Sequence, residues 1–158
     1  MREILFRGKR TDNGEWIEGY YAKQSNHACF AHELKYTHFI FKDICLDFNL
    51  GGLQEFEVIP ETVGQYTGLT DKNGKKVFEG DILESPIGRK AVVSFGTYKP
   101  FSTKDSDDFE CWKLTLIANN EGETKLECGL GKHCMEYMKV IGNIHDNPEL
   151  LKGDKGNG

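Results

Sequence analysis

The residues best suited to chemistry lie between positions 27 and 38. His27, Cys29 and His32 fall within six positions, and His38 follows. All are residue types that bind zinc, and on a helix Cys29 and His32 would share one face. The spacing matches no standard zinc finger, and no second pair of ligands is placed cleanly beside it. Surface histidines and a buried thiol therefore explain this segment, and we predict no metal.

A second candidate for chemistry is the pair His133–Cys134, which suggests a nucleophilic cysteine with its base. Adjacent residues on a strand point to opposite faces, so on a strand these two would not form a working dyad. His145 could supply a base from elsewhere, but no neighbouring residue supports that role. Cys128 with His133–Cys134 would complete a zinc site only if the fold brought them together. We predict no catalytic residue and a protein that is not an enzyme.

Loops that could hold an ion or a phosphate group lack their defining residues. The acidic run 105–108, Asp-Ser-Asp-Asp, has neither the Gly nor the distant Glu of an EF-hand loop. Gly51–Gly52 and the pair Gly129 and Gly131 lack the Lys, the Ser and the following helix of a P-loop. We predict a solvated loop at 105–108 and no cofactor.

Composition indicates a small globular protein of the cytoplasm. The 158 residues make one domain or two small ones, with 38% hydrophobic and 28% charged residues. Apolar runs stop after three or four residues, against the 20 or so of a spanning helix, and the N-terminus lacks the apolar region of a secretory signal. An odd set of cysteines without a C-x-x-C pair predicts reduced thiols. These cysteines are Cys29, Cys45, Cys111, Cys128 and Cys134.

The net charge of −5 argues against a nucleic-acid partner, because proteins that bind nucleic acids neutralise phosphates with clustered cations. The basic clusters are Arg7, Lys9 and Arg10 near the N-terminus, and Lys72, Lys75 and Lys76 around one hairpin tip. Aromatic residues beside a polar loop, Tyr98, Phe101 and Phe109, could stack bases but are more often core and rim residues. Aromatic residues interleaved with Lys on one sheet face would favour nucleic acid. A convergent Asp/Glu/His cluster in a pocket would favour a hydrolase.

Short β-branched and aromatic segments separated by turn residues predict a β-rich fold. Two Asn-Gly turns, 11–14 and 71–74, predict hairpins, because Gly supplies the positive φ of a tight turn. Further strands are predicted at 36–41, 55–59, 81–84, 89–95 and 111–118. Ser25–Tyr36 is predicted as a single helix capped by Ser25, and Asn147–Pro148 as a helix start with Asn147 as the cap.

Two stretches go beyond turn chemistry. Residues 65–83 (QYTGLTDKNGKKVFEGDIL) resemble the central signature of the YopX family of phage and prophage proteins, and residues 140–151 (VIGNIHDNPELL) resemble its C-terminal signature. The opening 6–10, with Trp16, Gly19 and Tyr20, is similar to the family's N-terminal pattern. The segments at 24–54 and 102–108 match poorly.

The resemblance implies a phage or prophage origin and a C-terminal half folded as an SH3-like roll or small barrel. It implies no activity and no catalytic residues. We expect an N-terminal β-rich segment at 1–60 with a β-hairpin extension, an SH3-like domain at 61–151 with the boundary near Pro60, and a disordered tail at 152–158. The leading hypothesis is a non-enzymatic module that binds a protein partner or self-associates, since small β proteins have edges to cover. The alternative is a nucleic-acid-binding accessory protein that uses barrel strands.

Overall fold

The computed structural model describes residues 3–26, 35–46, 50–99, 109–117 and 126–152. The chain divides into two compact units, Met1–Tyr66 and Thr67–Gly158. Strands make up most of the described residues, so the predicted mainly β class is confirmed. In these ranges no helix is both long and apolar enough to cross a membrane.

Unit 1 is built on an antiparallel sheet. Its strands are β1 (Phe6–Lys9), β2 (Trp16–Asn26), β3 (Lys35–Leu46), β4 (Leu50–Glu57) and the first half of β5 (Gly64–Thr70), with a 3-10 helix at Pro60–Thr62. The order across the sheet is β4-β3-β2-β1-β5. The predicted β1–β2 hairpin is confirmed: Gly14 lies in its turn with φ 72°, and Lys9 pairs with Trp16.

Strand alternation gives this sheet one buried face. Ile40 and Val58 are fully buried there, beneath Gly8 and Gly19. A Cβ at Gly19 would overlap the carbonyl oxygen of Phe41, and one at Gly8 would come within 3.1 Å of the Cβ of Val58. Glycine is therefore required by close packing at both positions.

The helix predicted over Ser25–Tyr36 is wrong at both of its ends. Ser25 lies near the end of β2 and Tyr36 near the start of β3, and the two residues pair directly. The β2–β3 ladder overrides the local capping signal of Ser25, because each residue paired in a ladder adds backbone hydrogen bonds. Residues 27–34 lie outside the described residues.

Unit 2 contains the second half of β5 and a further antiparallel sheet. Its elements are β6 (Lys76–Phe78), β7 (Asp81–Glu84), β8 (Lys90–Tyr98), β9 (Phe109–Leu116), β10 (Glu127–Gly129), α1 (Lys132–Met135), β11 (Lys139–Asn143) and a 3-10 helix at Pro148–Leu151. β6 neighbours β5, as the second predicted hairpin requires, and the other sheet runs β10-β9-β8-β7-β11. Among the described strands the sheet is open rather than a closed barrel. Its core is Val77, Leu83, Ala91, Val93, Leu114, Met135 and Met138.

The hairpin tip of β5 and β6 is fixed by the buried carboxylate of Asp71. Its Oδ1 accepts hydrogen bonds from the backbone N–H of Asn73 (2.8 Å) and of Lys75 (2.9 Å). Its Oδ2 accepts one from the backbone N–H of Val140 in β11 (2.9 Å). One side chain thus closes the turn and ties it to a strand 69 residues later in the sequence.

The C-terminal turn differs from its prediction. Pro148 occupies the first helical turn as expected, but the helix is of the 3-10 type and Asn147 makes no side-chain cap bond. The Oδ1 of Asn147 instead accepts a bond from the backbone N–H of Asn143 (3.3 Å) and fills the space that a side chain at Gly142 would need. Asn147 therefore stabilises the tight turn after β11 instead of capping the 3-10 helix.

Substitution of Gly74 tests whether the hairpin tip requires a residue with positive φ. Its φ is 80° and a Cβ there would meet no atom within 4 Å, so any cost of substitution is conformational. We expect Gly74→Val to lower the free energy of unfolding by about 1–2 kcal/mol and Gly74→Asn by less, because Asn tolerates positive φ. Urea unfolding followed by Trp112 fluorescence in a Trp16→Phe background measures unit 2. Equal losses in the two variants would refute the conformational explanation.

Asp71 predicts a pH dependence. Burial raises the pKa of this carboxyl, but the N–H groups of Val140, Lys75 and Asn73 together outweigh burial and lower it below its ordinary 3.8. A depressed folded-state pKa means that the carboxylate stabilises the fold above about pH 4–5 and loses this effect as pH falls through the folded-state value. We expect Asp71→Asn to cost about 1–3 kcal/mol at pH 7, since one N–H then faces an amide donor.

The gap in urea midpoint between wild type and Asp71→Asn should shrink between pH 5 and pH 2. Asp43→Asn is the control, because it makes the same substitution at an exposed aspartate outside unit 2. A gap that stays constant over this range would show that ionisation of Asp71 does not stabilise unit 2.

Candidate functional site

The histidine- and cysteine-rich segment is only partly described. His27, Cys29 and His32 lie outside the described residues. His38 lies in β3, and its Nδ1 is 2.7 Å from the hydroxyl of Tyr21 on β2. This cross-strand bond gives His38 a partner within the sheet.

His133 and Cys134 lie on the single turn of α1 rather than on a strand. His133 is exposed, with Nδ1 3.6 Å from Oε2 of Glu136, whereas Cys134 packs against the core of unit 2. The two side chains therefore point apart because of the helical turn, and not because of strand alternation. Burial raises the pKa of the Cys128 thiol and nearby Cys134 raises it further, so neutral pH favours the protonated thiol over the thiolate that binds metals.

The other candidate residues lie in structural positions. The backbone N–H of His145 donates to Oδ1 of Asn143 (2.9 Å) in the turn after β11. Gly51–Gly52 lies in β4 and Gly129 in β10, so neither forms a phosphate loop. Across the described ranges, no three His, Cys, Asp or Glu side chains are grouped as metal ligands would be.

Phe101 and the acidic loop at 105–108 lie outside the described residues. Tyr98 and Phe109 pair directly at the ends of β8 and β9. At the hairpin tip, Lys72 and Lys75 are exposed and Lys76 is half-buried in β6.

The face of the unit 1 sheet opposite Ile40 carries aromatic side chains. Tyr20 on β2 pairs directly with Phe41 on β3, and the rings of Phe41 and Phe39 have centroids 6.3 Å apart. Trp16 precedes Tyr20 by four residues, so strand alternation puts it on the same side. Tyr20 is 52% exposed and the other three are half-buried. We call Trp16, Tyr20, Phe39 and Phe41 the aromatic face.

Charged residues occur at both ends of the aromatic face. At one end, Cζ of Arg7 lies 4.8 Å and Nζ of Lys9 lies 5.7 Å from the ring centroid of Trp16. At the other end, Glu55 pairs with Phe41 and Glu57 pairs with Phe39, and both carboxylates are exposed. The face therefore combines π surfaces with cations on one side and anions on the other.

A cleft of about 500 Å³ lies on unit 2. Leu69 and Met135 supply apolar surface, Lys72 and Lys132 contribute positive charge, and Glu136 contributes negative charge. Asp71 also lines it, but its carboxylate is bonded to three backbone N–H groups. The lining is of mixed sign, and it selects no class of ligand by charge.

Comparison with known proteins identifies the family. The family described as YopX protein matches residues 5–152, nearly the whole chain. The chain belongs to the YopX family. No curated protein shows a significant match. Among solved structures, this YopX protein is similar to the crystal structure of protein EF1440 from Enterococcus faecalis, with 22% identity over 96% of this chain and 100% of that one, and a TM-score of 0.42.

The stretches that resemble the YopX signatures supply turns rather than reactive groups. Gly80, with φ 78°, follows β6, and its N–H donates to the carbonyl of Val93 (2.9 Å). The carbonyl of Gly80 accepts from Ile144 (2.9 Å), so the two signatures meet through the backbone. The backbone N–H of Phe78 donates a hydrogen bond to Oδ2 of buried Asp81 (2.8 Å). These residues determine the fold of unit 2, as Asp71 does.

Sequence reasoning missed the aromatic face of this YopX protein. Its signal is the i, i+2 spacing in Trp16-x-Glu18-x-Tyr20 and in Phe39-x-Phe41. The opposite side of the same sheet also carries aromatic residues, namely Phe6, Tyr21 and Phe56. Neither side of the sheet was therefore recognisable from the sequence as the polar one. Recognising the face requires the β2–β3 register, which the predicted helix concealed.

We expect the purified protein to carry no stoichiometric zinc, because the spacing within 27–38 matches no standard zinc finger and the described residues group no three His, Cys, Asp or Glu side chains as metal ligands would be. Elemental analysis of protein prepared in zinc-containing medium measures this directly. One zinc per chain that is lost in His32→Ala and kept in His133→Ala would contradict the prediction and place a metal site in the 27–38 region.

Proposed function

We propose that this YopX protein is a non-enzymatic module that binds a protein partner through the aromatic face. The observation that carries the proposal is the presence of Tyr20, Phe39 and Phe41 together on the outer side of a sheet whose inner side already buries Ile40. Large aromatic side chains on a rigid sheet give much contact area at little entropic cost. Tyr and Trp are also enriched among residues that dominate binding energy.

Unit 1 keeps this face rigid by its packing. β2 pairs with β3 over seven residues and β3 with β4 over eight, so the rings sit on three paired strands. Rings held on a sheet lose few rotamers when a partner covers them, which leaves more of the contact energy for affinity. Leu53, 62% exposed, extends the apolar surface onto β4.

The alternative, a nucleic-acid-binding protein, draws support from one end of the same face. Arg7 and Lys9 beside Trp16 match the pairing of cations with stacking rings that single-stranded nucleic acids use. The carboxylates of Glu55 and Glu57 at the other end of the face would repel phosphates. We therefore favour a protein partner.

The family resemblance supports three further parts of the proposal. They are a phage or prophage origin, action in the bacterial cytoplasm and an SH3-like roll within 61–151. Self-association is the other form that an assembly role would take.

A photo-crosslinking residue at position 20 tests the proposal. We expect benzoylphenylalanine in place of Tyr20 to form a discrete protein adduct in bacterial host extract, because Tyr20 is the most exposed ring of the face. The same residue in place of Tyr137, which is 53% exposed on unit 2, is the matched control and should give none. The products are separated by gel electrophoresis, with and without nuclease.

The adduct must also depend on the rest of the face. Phe39→Ala with Phe41→Ala, added to the crosslinking variant, should abolish it. Equal adducts from positions 20 and 137 would reject the aromatic face as the binding surface. An adduct removed by nuclease would favour the nucleic-acid alternative.

A further inference from the structure

The partner's chemistry can be inferred from the arrangement of charges on the aromatic face. Two rows cross the strands: Tyr20, Phe41 and Glu55 in one, and Ala22, Phe39 and Glu57 in the next. Directly paired residues on one side of a sheet have Cβ atoms about 5 Å apart. Each phenylalanine thus lies between β2 and an exposed carboxylate on β4.

A third carboxylate extends this surface along β3. Asp43 is exposed and follows Phe41 by two residues, which puts it on the same side of the sheet. Glu18 on β2 also lies on this side, but it pairs directly with Arg7 on β1 and so belongs to the cationic end of the face. Three rings are therefore flanked by three carboxylates, and we call these six residues, Tyr20, Phe39, Phe41, Asp43, Glu55 and Glu57, the acidic aromatic patch.

Both components of the acidic aromatic patch attract cations. The face of an aromatic ring carries negative potential that binds Lys or Arg, and a carboxylate beside it adds Coulomb attraction. Arg gains more than Lys, because its planar group stacks on a ring while its N–H fork bonds a carboxylate. Phosphates are disfavoured at the same positions by like charge.

Unit 1 itself contains such contacts. The guanidinium carbon of Arg10 lies 4.7 Å from the ring centroid of Phe56, and Nζ of Lys23 lies 4.6 Å from that of Tyr36. Arg7 stands over Trp16 at 4.8 Å. Cations therefore already pack on rings of this sheet at distances within the range of favourable cation–π attraction.

We infer that the acidic aromatic patch binds an arginine-rich segment of a protein partner, with guanidinium groups stacked on Tyr20 and Phe41 and paired with Glu55 and Glu57. The inference rests on the proposed function and adds the chemical class of the partner. Asp43 adds to the negative field that steers the segment toward the rings.

The test is a nuclear magnetic resonance titration of the ¹⁵N-labelled full chain. The probe is a peptide of alternating Arg and Ser, and the matched control peptide has the neutral isostere citrulline at every Arg. We expect saturable shifts of the amides of β2, β3 and β4 with the Arg peptide, at least tenfold weaker binding of the citrulline peptide, and weaker binding at higher salt.

Variants separate the contributions of the rings and the carboxylates. Glu55→Gln with Glu57→Gln should weaken binding of the Arg peptide by about three- to tenfold, the effect of two exposed ion pairs. Glu61→Gln with Glu149→Gln changes the net charge equally at exposed sites outside the patch and should leave affinity unchanged. Tyr20→Leu keeps apolar bulk but removes the π face, and should weaken binding about two- to fivefold.

The outcomes distinguish this inference from the proposed function. Equal binding of the Arg and citrulline peptides, equal losses in both double Glu→Gln variants, or tighter binding of a single-stranded oligonucleotide would overturn the cationic partner. If the position-20 crosslink then persists and needs Phe39 and Phe41, protein binding stands and only the partner chemistry is wrong. Loss of the crosslink together with absence of Arg-peptide binding would overturn both.

Discussion

The interaction on which much of unit 2 depends is the acceptance of three backbone N–H groups by the carboxylate of Asp71. A buried charge is costly unless its lone pairs accept hydrogen bonds. The carboxylate therefore requires this backbone conformation, and the three N–H groups in turn require an acceptor at position 71. The turn between β5 and β6 and the start of β11 converge on this group. The core residues Val77, Leu83 and Met138 lie on or beside these segments.

A second constraint, in unit 1, is close approach of backbone and side chain. Gly19 passes the carbonyl of Phe41, and Gly8 lies on Val58, so β1, β2 and β3 approach closely around Ile40 on their inner side. Phe39 and Phe41 flank Ile40 in β3, so strand alternation puts their rings on the outer side. The acidic aromatic patch therefore follows from the same register that buries Ile40.

Local signals predicted most of the strands and both hairpins, because an Asn-Gly turn determines its own geometry within four residues. The helix at Ser25–Tyr36 failed, since the β2–β3 ladder joins residues whose pairing no local rule encodes. For the same reason the hydrogen bond between Asp71 and Val140 could not be predicted. The sequence indicates an aspartate in a turn, but not the backbone N–H 69 residues later that donates to it. The candidate surface was missed because its rings come from two strands whose register had to be known first.

The position of β4 has a consequence for solubility. β4 is the outermost strand described in its sheet, and Gly51–Gly52 and Leu53 leave it flat and apolar at one end. A flat edge of this kind is a template on which another strand can grow into an aggregate. Glu55 and Glu57 act as gatekeepers on this strand, because two copies brought edge to edge would juxtapose like charges. The same carboxylates therefore limit amyloid-like growth at an edge that lies beside half-buried rings.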